Sequence, residues 1–138
     1  MNRRVLIDTG PLVAILSDRD QHHGRCVAIA KTLPDRLFTN APVLTEAAHI
    51  ISRYGGLSPR TILDLVRRHQ LIVLPLDRED YLAIDSILDR YNDQGLSLAD
   101  ASLMHLAERE QIDEVFTVDY EDFAAFRTTS GKSLKIVE

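Results

Sequence analysis

The chain has 138 residues, of which 45% are hydrophobic and 27% are charged, and its net charge is −5. These values are typical of one folded domain, which we predict to span residues 1–138. The acidic balance argues against a protein that holds nucleic acid by bulk positive charge, but acids gathered at one edge and neutralised by divalent cations would still attract phosphate. No stretch has the length and apolarity of a signal peptide or a transmembrane helix, so we expect a cytoplasmic protein without membrane contact.

The first predicted strand ends on an acid. Residues 3–8 (RRVLID) form a short apolar run that ends with Asp8. A turn then leads into a helix from Pro11, a residue that suits a first helical position. A second helix is predicted to be capped by Asp20 and to end near residue 33.

A second acid lies near the start of a helix. After a strand over residues 36–39, Asn40 is a predicted cap for a helix opened by Pro42. Glu46 lies about one turn into this helix, close to its apolar face. Taken alone, Glu46 could equally be a solvated surface residue.

The middle of the chain supplies scaffold elements. A helix over residues 58–70 carries basic residues that we interpret mainly as its solvated face. Residues 71–76 (LIVLPL) form the third predicted strand, and Asp77 caps a helix that runs to Tyr91.

The C-terminal third supplies two more acids, one near the start of a helix and one after a strand. Asp100 lies in the first turn of a helix that starts at Ser97, and Asp119 follows a strand over residues 114–118. Each has a simpler interpretation, since Ser97 and Asp100 fit a capping box and Asp119 fits a turn. A short helix and a last strand over residues 134–137 complete the chain.

The order of the elements predicts a parallel sheet with helices on both faces, an α/β fold. The carboxyl ends of the strands and the amino ends of the helices then share one rim, where the four acids would converge. Converging carboxylates need cations, and oxygen ligands suit Mg²⁺ or Mn²⁺, whereas no histidine or cysteine cluster supports zinc. A metal ion at this rim could activate water to cleave a phosphodiester. The acids concerned are Asp8, Glu46, Asp100 and Asp119.

Four motifs in this order resemble the PIN-domain ribonucleases, and most closely the VapC-type toxins of bacterial and archaeal toxin–antitoxin pairs. They are LIDTGPLVAIL, FTNAPVLTEAAHII, LSLADASLMHLAE and FTVDYEDF. The resemblance covers essentially the whole chain. It implies a three-layer αβα sandwich with a parallel sheet of about five strands in the order 3-2-1-4-5. It also implies a Mg²⁺-dependent endoribonuclease, usually a homodimer, that a small cognate antitoxin holds inactive.

The resemblance also assigns roles to individual residues. Four acids match the metal-binding and catalytic positions, two threonines match hydroxyl positions beside them, and one further acid lies near the fourth position. We prefer Asp119 to Asp122 because Asp119 directly follows the predicted strand. The four acids are Asp8, Glu46, Asp100 and Asp119, the two threonines are Thr9 and Thr117, and the further acid is Asp122.

Two other functions fit parts of the pattern. A receiver-type signalling module also gathers acids at strand ends, but it needs an acidic pair after the first strand and a lysine near the last, and the sequence supplies only Asp8 and poorly placed lysines. A PIN-like subunit could instead bind RNA or a protein partner without cutting. Metal-dependent RNA cleavage would separate this subunit from the enzyme.

Overall fold

A five-stranded parallel sheet forms the centre of the computed structural model, which describes residues 2–138. The strands run in the order β3-β2-β1-β4-β5, and every pairing is parallel. The predicted order 3-2-1-4-5 is therefore confirmed. The strands are β1 (Val5–Ile7), β2 (Leu37–Thr39), β3 (Leu71–Val73), β4 (Glu114–Phe116) and β5 (Lys135–Ile136).

Helices cover both faces of the sheet. With parallel crossovers of the usual right hand, this strand order puts helices on both faces, which is the predicted αβα sandwich. The α-helices are α1 (Thr9–Leu16), α2 (His23–Ala30), α3 (Ala41–Arg53), α4 (Arg60–Arg67), α5 (Arg78–Arg90), α6 (Leu98–Glu110) and α7 (Tyr120–Ala125). Among residues 2–138, we find no helix that combines the length and apolarity needed to cross a membrane.

The core lies between the sheet and its two helix layers. Every residue of β1 is buried, as expected for a central parallel strand that is covered on both faces. Helix α6 is buried along most of its length and packs against both α3 and α5. Because α6 is fixed on two sides, its first turn is held firmly relative to the sheet.

Two predicted helix caps are confirmed. The Asn40 side chain accepts a hydrogen bond from the Val43 N–H, and Asp77 forms a full capping box with Asp80 at the start of α5. The cap predicted for α2 is wrong, because Asp20 instead accepts from the N–H of His22 in a turn before the helix. Helix α2 begins later than predicted, at His23, and it also ends earlier, at Ala30.

The strands are shorter than the apolar runs that predicted them. The run at 71–76 contributes only three residues to β3, and the run at 134–137 contributes two residues to β5. Strand β4 ends at Phe116, so Asp119 lies three residues beyond it and does not directly follow it. The apolar runs extend beyond the ends of the strands because Val118 and Val137 still contact the core.

Candidate metal centre

Asp8 lies at the junction of β1 and α1, in the middle of the sheet. Its backbone N–H donates to the Phe116 carbonyl at 2.9 Å, which continues the pairing of β1 with β4. Its side chain is only 1% exposed, and its Oδ2 accepts a 2.8 Å hydrogen bond from the hydroxyl of Thr117. Its Oδ1 is buried and has no hydrogen-bond partner among the described residues. One carboxylate oxygen is thus fixed and the other is left without a donor.

Asp100 is the third residue of α6. Its backbone N–H donates to the Ser97 hydroxyl at 3.0 Å, so Ser97 is the predicted cap. The return bond of a capping box, from the Ser97 N–H to the Asp100 carboxylate, does not occur within residues 2–138, whereas α5 has both bonds. The Asp100 side chain therefore does not close a capping box, and the residue is only 8% exposed.

Asp119 completes a group of three acids. Its residue is exposed, and its backbone N–H donates to the Thr117 hydroxyl oxygen at 2.9 Å. Asp8, Asp100 and Asp119 each offer a carboxylate oxygen within 4.8 Å of the others'. We call these three residues the acid cluster. They come from the end of β1, from the start of α6 and from the segment between β4 and α7, at the rim that the topology predicted.

Glu46 lies beside the acid cluster but outside that 4.8 Å group. It is half-buried on α3. Burial, and then the charge of Asp119, raise the pKa of Glu46, and Glu46 in turn contributes to raising the pKa of Asp100. The structure thus brings the fourth predicted acid into the same electrostatic field, farther from the centre.

The supporting residues divide into two environments. Thr9 and Thr117 are buried next to Asp8, and the Thr9 hydroxyl oxygen has no hydrogen-bond partner among residues 2–138. Asp122 is half-buried in the first turn of α7, and its charge raises the pKa of Asp119. Asp122 therefore acts on the cluster through its charge on Asp119.

The backbone allows this convergence because α1 starts very close to the segment after β4. A Cβ atom at Gly10 would lie 2.5 Å from Cγ2 of Val118. Only glycine fits at this contact without displacing Val118. The close approach brings the chain around Asp8 next to the chain that carries Asp119.

Charge crowding makes the cluster unfavourable when all its members are ionised. Burial, and then the charge of Asp100, raise the pKa of Asp8 to about 8. Burial, and then the charge of Asp119, raise the pKa of Asp100 to about 6. Burial and the charge of Asp122 also raise the pKa of Asp119. A cation at the cluster would reverse these effects by favouring the ionised carboxylates.

The donor set fits a hard divalent cation. All the side-chain donors are oxygens, as Mg²⁺ and Mn²⁺ prefer, and the unpartnered Oδ1 of Asp8 supplies a buried oxygen that needs a positive partner. The exposed position of Asp119 leaves the cluster open to solvent on one side, so a hydrated ion could enter. Asp8, Asp100 and Asp119 would hold the ion, with Glu46 and Thr9 nearby.

One buried connection near the cluster was not predicted. The Asn40 side chain donates to the hydroxyl of Ser102 at 2.9 Å, across 62 residues of sequence. The sequence predicted Asn40 only as a helix cap, and it predicted no role for Ser102, which lies within an apolar helix. A serine at a buried position of α6 is the only sequence signal that could have pointed to this connection.

The fold is similar to that of a solved bacterial toxin. The crystal structure of VapC20 from Mycobacterium tuberculosis, a sarcin-ricin loop cleaving toxin, matches with a TM-score of 0.76 and 19% sequence identity. The match covers 88% of this chain and 95% of that chain. At this identity it is a likeness of fold.

Sequence comparison agrees with the resemblance seen in the motifs. No curated protein matches the chain. The family model described as PIN domain matches residues 5–128, which include every residue of the acid cluster and Glu46. The chain belongs to the PIN domain family.

Proposed function

We propose that the protein is a divalent-metal-dependent endoribonuclease that acts in the cytoplasm as the toxin of a toxin–antitoxin pair. The observation that carries this proposal is the acid cluster, in which three carboxylates offer oxygens within 4.8 Å of one another and one buried oxygen of Asp8 lacks a donor. Membership of the PIN domain family and the likeness to VapC20 support it. Mg²⁺ is the proposed cofactor, and Mn²⁺ can replace it.

Each residue has a distinct part in the proposed site. Asp8 and Asp100 are buried and form its fixed inner wall, while exposed Asp119 faces the side from which a phosphodiester would approach. Thr117 keeps Asp8 in one orientation through its hydrogen bond. When bound, Mg²⁺ supplies the Lewis acidity that activates water and neutralises charge on the phosphate. Glu46 adds negative charge at the edge and completes the set of four acids.

The acidity of the protein fits this role. The net charge of −5 gives little general attraction for RNA. Attraction would arise locally, where cations at the acid cluster offset its charge. We therefore expect binding of RNA to depend on the metal as well as on the ionic strength.

The proposed partners are an RNA substrate, a small cognate antitoxin and a second copy of the chain. Apolar side chains on α5 and at the start of α6 are exposed, namely Tyr81, Leu82 and Leu98, which supports a homodimer. Light scattering of the purified protein would measure its mass in solution. We also propose that residues 1–138 act as one domain, since a single sheet joins elements from Val5 to Ile136.

Cleavage of RNA under controlled metal content tests the function. The purified protein should cut single-stranded regions of RNA with Mg²⁺ or Mn²⁺ and should stop when a chelator is added. The Asp8→Asn protein, purified in the same way, controls for contaminating nucleases and should be inactive. Full cleavage in chelator would contradict the metal mechanism. Tight binding of RNA and Mg²⁺ without any cleavage would favour the PIN-like subunit that binds but does not cut.

A further inference from the structure

Asn40 makes two hydrogen bonds that join the starts of α3 and α6. Its Oδ1 accepts from the Val43 N–H at 3.2 Å, which caps α3. Its Nδ2 donates to the Ser102 hydroxyl at 2.9 Å, and that hydroxyl donates to the Ala99 carbonyl at 2.6 Å. Asn40 and Ser102 are both 0% exposed. The first turn of α6 is therefore tied to the helix that carries Glu46.

The residue before Asn40 makes a similar bond to the first strand. The hydroxyl of Thr39, also 0% exposed, donates to the Ile7 carbonyl at 3.2 Å. Ile7 immediately precedes Asp8, and Ala99 immediately precedes Asp100. Two consecutive side chains, one at the end of β2 and the next just after it, are thus linked to the peptide groups before two members of the acid cluster: Thr39 directly and Asn40 through Ser102.

We propose that Thr39 and Asn40 are positioning residues that set the separation of Asp8 and Asp100 for metal binding. This inference rests on the proposed function. Neither side chain bonds to a carboxylate of the acid cluster, so both act through the backbone: Thr39 through Ile7, and Asn40 through Ser102 and Ala99. The two carboxylates repel each other when ionised, and fixed peptide groups resist the separation that this repulsion favours.

Capping alone does not account for the connection. The cap uses only Oδ1 of Asn40, and a serine would serve equally well there. The Nδ2 group and the Ser102 hydroxyl are additional buried polar groups, which are favourable only when each is satisfied. Their hydrogen bond couples the two helices without contributing to the cap of α3.

Two single variants remove this bond while keeping the cap. Asn40→Ser retains a capping oxygen but is too short to reach Ser102, and Ser102→Ala removes the acceptor. We expect each to weaken Mg²⁺ binding by about tenfold, as is typical when a residue that orients metal ligands is lost. Because both variants break the same bond, the double variant should bind Mg²⁺ no more weakly than either single variant.

Isothermal titration calorimetry with Mg²⁺, at a temperature well below the melting temperature of every variant, gives the measurement. Ser52→Ala is the matched control, because the Ser52 hydroxyl also donates to a carbonyl of its own helix but is exposed and remote from the connection. It should bind Mg²⁺ like the parent. Thr39→Val keeps the side-chain shape, loses the bond to Ile7, and should weaken Mg²⁺ binding independently of the other two substitutions.

The outcomes separate this inference from the proposed function. If the parent binds Mg²⁺ and the Asn40 and Ser102 variants bind it equally well while melting at lower temperatures, these residues are only structural and the inference is wrong. If the double variant loses as much Mg²⁺ affinity as the two single variants lose together, Asn40 and Ser102 do not act through one bond, and the inference is also wrong. If the parent itself binds no Mg²⁺, the proposed metal centre fails, and the positioning role fails with it.

Discussion

One hydroxyl oxygen joins the first and last members of the acid cluster. Thr117 donates a 2.8 Å hydrogen bond to Oδ2 of Asp8, and the same oxygen accepts from the N–H of Asp119 at 2.9 Å. The bond to Asp8 spans 109 residues and is fully buried. Because Thr117 occupies Oδ2, the free Oδ1 of Asp8 is the oxygen left for a cation.

Thr117→Val tests this arrangement, since valine keeps the shape of threonine and removes the hydroxyl. We expect about tenfold weaker Mg²⁺ binding. We also expect a free energy of unfolding lower by about 1–3 kcal/mol, because Oδ2 of Asp8 loses its donor. Calorimetric titration and urea denaturation measure the two effects. Thr32→Val is the control, because the Thr32 hydroxyl donates to the nearby Ile29 carbonyl at the surface. Unchanged Mg²⁺ affinity in Thr117→Val would contradict the role of Thr117.

The convergence of Asp8, Asp100 and Asp119 was predictable because it depends on topology. Local sequence patterns indicate where a strand or a helix ends. A parallel sheet brings the carboxyl ends of its strands and the amino ends of the following helices to one rim. The strand order came from the family resemblance, and the structure confirms it. These predictions needed the approximate positions of the element ends and no side-chain detail.

Details that depend on packing were not predictable. The rule that chose Asp119 over Asp122 assumed that β4 ends at Val118, yet the strand ends at Phe116, and only the folded chain places Asp119 in the acid cluster. The pairing of Asn40 with Ser102 depends on how closely two helices approach. No periodicity within either helix encodes that distance.

Asp119 and Asp122 should respond differently to loss of charge. Asp119→Asn removes one of the three clustered carboxylates and should lower kcat by at least about a hundredfold, on the scale seen when one electrostatic catalytic group is lost. Asp122→Asn removes a charge that raises the pKa of Asp119, so it should keep most activity. Cleavage rates at saturating Mg²⁺ compare the two variants, and the reverse order would show that Asp122 holds the catalytic position.

The proposed antitoxin should place a cation against the acid cluster. An arginine or lysine there would offset the same charge as a metal ion and would give the unpartnered Oδ1 of Asp8 a donor. Replacing that antitoxin residue by alanine should weaken inhibition, and inhibition by the intact antitoxin should weaken as Mg²⁺ is raised. Cleavage assays with the purified pair measure both effects. An inhibitory segment that leaves these acids uncovered would contradict the prediction.

The Asp8→Asn variant should separate two effects on stability, the destabilisation caused by the buried Asp8 carboxyl group and the stabilisation caused by bound metal. In chelator, the variant should be as stable as the parent or more stable, because it removes a buried carboxyl group that must either take up a proton on folding or repel Asp100. Added Mg²⁺ should stabilise the parent by mass action and should stabilise the variant much less. Thermal melts with and without Mg²⁺ give both comparisons.

Asp64→Asn provides a matched loss of charge outside the site. Asp64 is paired with Arg67 and Arg68, so this variant should be no more stable than the parent in chelator, and it should keep the full gain on adding Mg²⁺. If Asp8→Asn melts well below the parent in chelator, the Asp8 carboxylate supports the fold chiefly through its hydrogen bond with Thr117.

The raised pKa values predict how stability changes with pH. The pKa of Asp8 is raised from 3.8 to about 8, and that of Asp100 from 3.8 to about 6. The folded state therefore holds protons that the unfolded state has released, and their contribution to stability is complete below about pH 4. It is lost as the pH rises through about 6 for Asp100 and about 8 for Asp8, so metal-free protein should melt at progressively lower temperature between pH 5 and pH 8.5.

Asp8→Asn and Mg²⁺ should each change this pH dependence in a defined way. The variant lacks the Asp8 carboxyl group, which has the higher of the two raised pKa values. Its melting temperature in chelator should therefore fall less than that of the parent between pH 7 and pH 8.5. In the parent, Mg²⁺ must displace protons from the carboxylates, so the gain in melting temperature on adding Mg²⁺ should grow from pH 6 to pH 8. Melts across this range, with and without Mg²⁺, test both expectations. A metal-free melting temperature that stays level or rises between pH 6 and pH 8 would show that Asp8 and Asp100 are ionised in the folded protein without a cation.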